Sequence, residues 1–472
     1  MSSVLPEEFL STLEGINGFN KESFVNTHLS DEQIVSVRIN PQKLSAGNDQ
    51  LFPDESTPII SAKIPWASNG YYLSSRPLFT LDPFFHAGLY YVQEASSMFV
   101  EQALKQSTDI SKPLKVLDLC AAPGGKSTLL QSLISHESLL VSNELIKSRV
   151  NILQENIIKW GASNIVITNN DPQDFSKMEN YFDVILVDAP CSGSGLFRRD
   201  PEAIREWSEE NVKLCSYRQQ RILADIWPAL KKNGILIYST CSYSKQENED
   251  MLDWIMEKFE ADSLPISIKP EWNIIESRPD VNKGYGYRFY PDKIKGEGFF
   301  IGCLQKKNGN SFGTPVIKKQ SLEKLTKNDE LIVRTHIQPE KNPILACFKH
   351  NNMVYALPAH LENDIIFLRN KLYLRKAGIL LGKLNSGSLI PEHELAISAI
   401  VSKEIPFIEV DKENAIQYLR KEELKMDISG RGWTLIQYKK QNLGWIKMLQ
   451  NRFNNYYPTE WRIVMRNPKS QV

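Results

Sequence analysis

Between Lys115 and Glu260 the chain repeats one pattern, an aliphatic strand followed by a turn and then a helix, and this alternation limits the possible folds more than any other feature. Strands are expected at Lys115–Leu119, Ser138–Asn143, Ile165–Asn169, Val184–Val187 and Ile235–Tyr238, from their runs of β-branched and aliphatic residues. Helices are expected at Ser127–Ser135, Ile146–Trp160, Ser208–Lys232 and Gln246–Glu260, with Gly161 and Gly234 as stop signals after the second and third. Strands that alternate with helices form a parallel sheet with right-handed crossovers, covered on both faces. The expected fold class is therefore α/β with a doubly wound sheet. Ligands of such sheets bind beyond the carboxyl ends of the strands, and three stretches of this sequence fall there.

The first is Phe182–Gly195, where Val184–Val187 runs without a polar break into Asp188, Ala189, Pro190, Cys191, Ser192 and Gly193. This is how a strand buried on both faces ends in a loop. The second, Tyr238-Ser239-Thr240-Cys241, sets another cysteine in the equivalent place after the last strand. Either cysteine alone would suit a small buried hydrophobe. Two of them beside Asp188 make a candidate site, because a thiolate nucleophile needs positive charge or hydrogen-bond donors, which Lys126 and the loop amides can supply.

The third stretch is the turn Cys120-Ala121-Ala122-Pro123-Gly124-Gly125-Lys126, followed by Ser127. It has two readings. As a phosphate-binding loop its Gly-Lys-Ser would cradle phosphates while Asp188 held magnesium, which leads to a P-loop-like nucleoside triphosphatase. Against this, the position five residues before Gly125 is Cys120 rather than glycine, and Pro123 withholds an amide. As a nucleoside-cofactor turn it requires an acidic residue after the next strand to bind ribose hydroxyls. Glu144 stands there, 26 residues after Asp118.

A chain of 472 residues with 42% hydrophobic content divides into two to four domains. We read residues 1–100 as a small α/β region, 101–304 as the catalytic domain, 305–330 as a polar linker, 331–408 as a middle α/β domain and 409–472 as a separate β-rich domain. The first region holds an acidic helix from Pro6 to Leu13, a half-buried strand at Ile34–Asn40 and a helical stretch from Ala87 to Leu104. Arg38 in that strand is either a phosphate contact or a solvated charge. The middle domain shows strand-like runs at Pro343–Phe348, Met353–Leu357, Ile365–Leu368 and Tyr373–Leu374, then a helix around Glu392–Ser402. Further strands are expected at Trp433–Tyr438 and Gly444–Met448.

The formal net charge of zero hides a gradient: residues 305–472 hold 27 Lys and Arg against 16 Asp and Glu, leaving 29 against 40 in residues 1–304. A basic tail on an acidic body suits a polyanionic partner, and equally a solvated basic face. The closing run mixes Arg452, Phe453, Tyr456, Tyr457, Trp461 and Arg462, which suits base stacking and phosphate contact or, in a small barrel, a core. The six cysteines show no C-x-x-C spacing, which argues against disulfides and a structural metal site. No apolar run reaches the ~20 residues of a membrane span and the start lacks a signal-peptide pattern, so the expected location is the cytoplasm.

Five motifs in order carry a resemblance to a known family: Cys-Ala-Ala-Pro-Gly-Gly-Lys at 120–126, Asp-Ala-Pro-Cys-Ser-Gly at 188–193, Arg-Arg-Asp-Pro at 198–201, Tyr-Ser-Thr-Cys at 238–241 and Gly-Glu-Gly-Phe-Phe at 296–300. Over roughly residues 34–303 the chain resembles the Sun-type RNA cytosine-C5 methyltransferases. Its ending, Tyr-Tyr-Pro-Thr-Glu-Trp-Arg-Ile at 456–463, resembles the PUA-like tail of the bacterial branch that modifies small-subunit ribosomal RNA. The resemblance implies a Rossmann-like core that holds S-adenosylmethionine in the 120–126 turn, with Glu144 on the ribose, Asp171 near the adenine and Asp188 between cofactor and target base. It implies Cys241 as the nucleophile and Cys191 as the second cysteine, assisting release. It implies RNA-binding N- and C-terminal regions, ribosomal RNA or an assembled small subunit as partner, and a monomer. A non-enzymatic alternative is an RNA-binding ribosome assembly factor that keeps the fold, against which the intact cysteines and Glu144 argue.

Overall fold

The computed structural model describes residues 5–30, 32–44, 60–308, 322–338, 344–385, 387–424, 430–450 and 452–465. Of the expected linker 305–330, residues 309–321 lie outside the described residues.

A ten-stranded sheet forms the centre. Its parallel strands are β1 (Lys115–Asp118), β2 (Leu139–Asn143), β3 (Ile165–Thr168), β4 (Phe182–Asp188) and β5 (Leu230–Thr240), hydrogen-bonded in the order β3-β2-β1-β4-β5. The order reverses between β1 and β4, and the crevice that such a reversal opens at the carboxyl edge is the ligand site of doubly wound sheets. Beyond β5 the sheet continues antiparallel through Phe299–Gln305, Gly286–Phe289 and Ile275–Ser277, while Asp262–Leu264 pairs with Phe299–Gln305.

Strand alternation sorts the aliphatic residues onto two faces. Val116, Val184, Leu186 and Ile237 pack with Leu129, Leu130, Leu153 and Ile157 from helices α1 (Gly125–Leu133) and α2 (Lys147–Trp160). Leu117, Ile185, Val187 and Leu236 pack on the other face with Ile222, Leu223, Leu252 and Ile255 from α3 (Glu209–Ile226) and α4 (Glu249–Phe259). Both faces being apolar explains the unbroken aliphatic runs in the sequence.

Several expectations need correction. Tyr90–Val92, read as helix, is a strand paired with Ser36–Ile39, and all four residues of Ser36–Ile39 are buried rather than half-buried. Leu230–Lys232, read as the end of α3, already belongs to β5, because Pro228 cannot supply an amide to extend the helix. Ile365–Leu368 lies in the helix Glu362–Lys371, where all four apolar residues are buried. The helix expected around Glu392–Ser402 spans only His393–Ile397. Leu374–Ala377 adds an antiparallel strand to β3, so the stretch 331–408 contributes to the central sheet as well as to a sheet of its own.

The C-terminal strands Phe407–Glu409, Gly432–Tyr438, Gln441–Leu449 and Arg452–Asn455 form a four-stranded sheet. Its core merges with the N-terminal sheet: Tyr418, Ile436, Tyr438 and Tyr457 cluster with Val35, Val37, Phe84 and Tyr90. Tyr457 is thus core, Trp461 packs edge-on against His393, and Tyr456 and Arg452 remain exposed.

Candidate active site

The Cys120–Lys126 turn leaves β1 at the switch point and enters α1 through Gly124, whose φ of 115° is a left-handed conformation that strains any residue with a Cβ. The Ala122–Pro123 peptide is cis. Side chains from neighbouring elements tie the turn down: Arg149 Nη2 donates to the Ala122 carbonyl at 2.7 Å and Asn156 Nδ2 to the Pro123 carbonyl at 2.8 Å, while the Ala121 amide donates to Asn143 at 2.8 Å. Arg38 holds the far side. It donates to the Gly125 carbonyl at 3.2 Å and to Thr128, its Nε reaches Gln93 at 2.9 Å, and its guanidinium stacks 4.5 Å over Trp160. At 1% exposure Arg38 is a buried strut for the turn, neither the phosphate contact nor the solvated charge its strand position suggested.

Two carboxylates at this edge keep oxygens without a hydrogen bond among the described residues. Asp118 Oδ2 accepts from Ser127 at 2.7 Å while Oδ1 is buried and unpaired, and burial pushes the carboxyl up to about 7. Glu144, after β2, accepts from the Ile146 amide at 2.9 Å through Oε1, whereas Oε2 is buried with no hydrogen bond and has the Arg149 guanidinium 3.6 Å away. A buried acceptor left open at the end of β2, beside a glycine turn at the end of β1, fits the hydroxyls of a nucleoside. Asp171 caps the short helix Pro172–Phe175, accepting from Gln173 at 3.0 Å, with Arg221 3.7 Å from its other oxygen.

The loops after β4 and β5 carry the thiols. Cys191 Sγ and Cys241 Sγ lie 3.1 Å apart, and both cysteines are free. The hydrogen bond to Cys241, reinforced by burial, pushes the Cys191 thiol up, and either sulfur can donate to the other. Cys120, by contrast, has its thiol pushed up by burial and then by the surrounding carboxylates. Asp188 stands beside the pair, bonded to Lys126 Nζ at 2.8 Å and to Ser239 Oγ at 2.8 Å. Burial pulls Lys126 down but Asp188 more than offsets it, so the ammonium stays charged next to the thiols.

Sequence reasoning missed the group that joins the two loops. Glu247, fully buried, accepts from the Ser192 amide at 2.8 Å, Ser192 Oγ at 2.6 Å, Ser242 Oγ at 2.5 Å and Gln219 Nε2 at 3.3 Å. It therefore binds the residue after each cysteine. The Gly195 amide adds a bond to the Cys241 carbonyl at 2.8 Å, and a Cβ there would meet the Gly298 carbonyl at 2.5 Å. Glycine is what lets the two loops and the Gly296–Phe300 segment meet. A serine following both cysteines was the available signal for a shared acceptor.

A glycine turn at the switch point under a paired-thiol edge narrows the class, and comparison with solved structures agrees with it. A methyltransferase homologue from Pyrococcus horikoshii superposes with a TM-score of 0.51 at 27% identity, covering 64% of this chain and all of the other. The structure of NSun6 from Pyrococcus horikoshii with SFG shares the fold at 20% identity, with a TM-score of 0.53 over 66% of this chain and all of that one. The protein is an S-adenosylmethionine-dependent methyltransferase by fold.

Family models place it further. Residues 106–305 match the 16S rRNA methyltransferase RsmB/F model, 5–95 the N-terminal domain of 16S rRNA methyltransferase RsmF and 406–463 the methyltransferase RsmF PUA domain. Relatives called ribosomal RNA small subunit methyltransferase F include those of Shewanella woodyi, 31% identical over 90% of both chains, and Aeromonas salmonicida, 29% identical over 97% of both. The chain belongs to the 16S rRNA methyltransferase RsmB/F family. Among the described residues no helix is long and apolar enough to cross a membrane.

Proposed function

We propose that this protein methylates C5 of a cytosine in small-subunit ribosomal RNA through a covalent bond between Cys241 and C6 of the base. The observation that carries the reading is the Cys191–Cys241 pair at 3.1 Å, on adjacent loops at the cofactor edge. Cytosine C5 is a weak nucleophile, and addition of a thiolate at C6 makes it an enamine-like carbon able to take up a methyl group. S-adenosylmethionine supplies that methyl as an electrophile. The residues that would hold it are the 120–126 turn, Glu144 and Asp171, and the open Oε2 of Glu144 is suited to a ribose hydroxyl.

Cys241, as thiolate, attacks C6 as the π pair of the C5–C6 double bond shifts to C5. Asp188, held by Lys126 and Ser239, accepts from the cytosine edge and favours protonation at N3 as negative charge develops. After methylation C5 carries both its proton and the methyl group. Transfer of that proton to the Cys191 sulfur, as thiolate, lets the C5–H pair restore the C5–C6 double bond and expel the Cys241 thiolate. The target base has to leave its stack to reach the thiols.

With ribosomal RNA and S-adenosylmethionine, Cys241→Ala should give no methyl transfer and no protein–RNA adduct. Cys191→Ala should accumulate an adduct that survives denaturing electrophoresis. An adduct in Cys241→Ala and none in Cys191→Ala would reverse the assignment.

A further inference from the structure

A second site opens beside the thiols. A cleft of about 730 Å³ lies between the N-terminal region and the catalytic domain, lined in part by Arg76, Arg198, Arg199, Glu32 and Glu297. Its inner wall starts where the thiol loops end: Gly195 bonds the Cys241 carbonyl, Arg198 follows three residues later, and Glu297 precedes the Gly298 that packs on Gly195.

Arg198 is the unusual group. Its side chain is 5% exposed, yet Nε and Nη1 have no hydrogen-bond partner among the described residues. Nη2 donates to the Glu32 carbonyl at 2.9 Å, and Nη1 faces Glu297 Oε2 across 3.6 Å as an ion pair without a hydrogen bond. Burial pushes the Glu297 carboxyl up to about 7, although the Arg198 charge pulls it down. Buried guanidinium groups are normally saturated with acceptors. A buried guanidinium with two unsatisfied nitrogens in the wall of a cleft, with exposed Arg76 and Arg199 also lining it, matches a phosphate in charge and geometry.

We propose that this cleft binds the RNA phosphodiester next to the target cytosine, with Arg198 contacting the phosphate oxygens and Arg199 and Arg76 flanking it, so that the cleft fixes the strand while the base swings to Cys241. The proposal rests on the RNA-methylating reading of the neighbouring thiols. Its test is a binding measurement that does not depend on methyl transfer.

Because removing Arg198 leaves Glu297 buried without its cation, the exposed arginines carry the experiment. RNA affinity is measured against salt with a 16S rRNA fragment in a Cys241→Ala background, with and without R76A/R199A. Each phosphate contact on single-stranded RNA contributes roughly 0.7 to the slope of log affinity against log salt. R76A/R199A should lower the slope by about 0.7 or more, and in the Cys241 enzyme should raise KM for RNA with kcat unchanged. A control, K232A/K258A, neutralises two exposed lysines, one early in β5 and one late in α4, and should leave the slope intact. An unchanged slope in R76A/R199A, or an equal loss in the control, overturns the cleft. A slope loss in R76A/R199A, combined with no methylcytosine formed by the enzyme that retains Cys241, would keep the cleft and sink the proposed reaction instead.

Discussion

Replacing Glu247 by alanine tests whether one buried carboxylate holds both thiols in register. Four donors converge on it. Without it the Ser192 and Ser242 hydroxyls, 3.2 Å apart, can bond each other, and Gln219 Nε2 keeps its bond to the Pro190 carbonyl at 3.1 Å. The Ser192 amide then has nothing, and an orphaned buried donor costs about 1–3 kcal/mol. The lost methylenes leave a cavity worth about another 1–2 kcal/mol. Burial pushes the Glu247 carboxyl up, so removing it relieves part of a desolvation penalty and brings the expected net loss to about 2–4 kcal/mol. Glu247→Gln keeps the shape and one acceptor, and should lose about 1 kcal/mol. Urea unfolding measures both. The same alanine variant should form methylcytosine about 100-fold more slowly, because a displacement of ~1 Å between reacting groups is worth that much. An alanine variant within ~0.5 kcal/mol of the parent and with undiminished turnover would refute the clamp.

Two further predictions concern the cofactor and pH. Glu144→Gln should weaken S-adenosylmethionine binding about tenfold or more by calorimetry, since it replaces a charged acceptor, and full retention of affinity would remove Glu144 from the cofactor site. His86, buried with Tyr457 Oη 3.2 Å from Nδ1 and the Thr80 carbonyl 2.9 Å from Nε2, has its imidazole pushed down by burial to about 4. Its folded value lies below the free value of 6.5, so its contribution is complete above pH 6.5 and is lost as pH falls through 4. About 3 kcal/mol is at stake, and His86→Gln should flatten the acid limb of the stability curve by that amount. Parallel curves for the two proteins would show that His86 does not titrate on unfolding.

The central sheet was legible because its strands are apolar on both faces and announce themselves as aliphatic runs closed by turn residues. The cysteines and Asp188 were legible because the topology puts the ends of β4 and β5 on one edge. What was not legible depends on long-range partners. Glu247 sits in the polar run Ser244–Asp250, and nothing in that run signals that four donors will fold around it. Arg38 read as a phosphate contact or a solvated charge because nothing local signals that Trp160 and the Gly125 carbonyl, each more than 80 residues away, will enclose it. Ile365–Leu368 carries no period that separates a buried strand from a buried helix. The tail aromatics divided: Tyr457 went to the core shared with the N-terminal sheet and Tyr456 to the surface. Deleting residues 409–472 would therefore uncover Val35, Val37 and Phe84, so point changes at exposed Arg452 and Arg462 are the cleaner probe of tail–RNA contact.

Paired thiols that activate C5 of a ribosomal RNA cytosine for methylation by S-adenosylmethionine lead to one product, 5-methylcytidine. The direct measurement is nucleoside mass spectrometry of 16S rRNA, from cells lacking this protein, after incubation with the purified protein and methyl-labelled S-adenosylmethionine. We predict label in 5-methylcytidine and its loss with Cys241→Ala. Label in any other methylated nucleoside, or 5-methylcytidine formed equally well without Cys241, would contradict it.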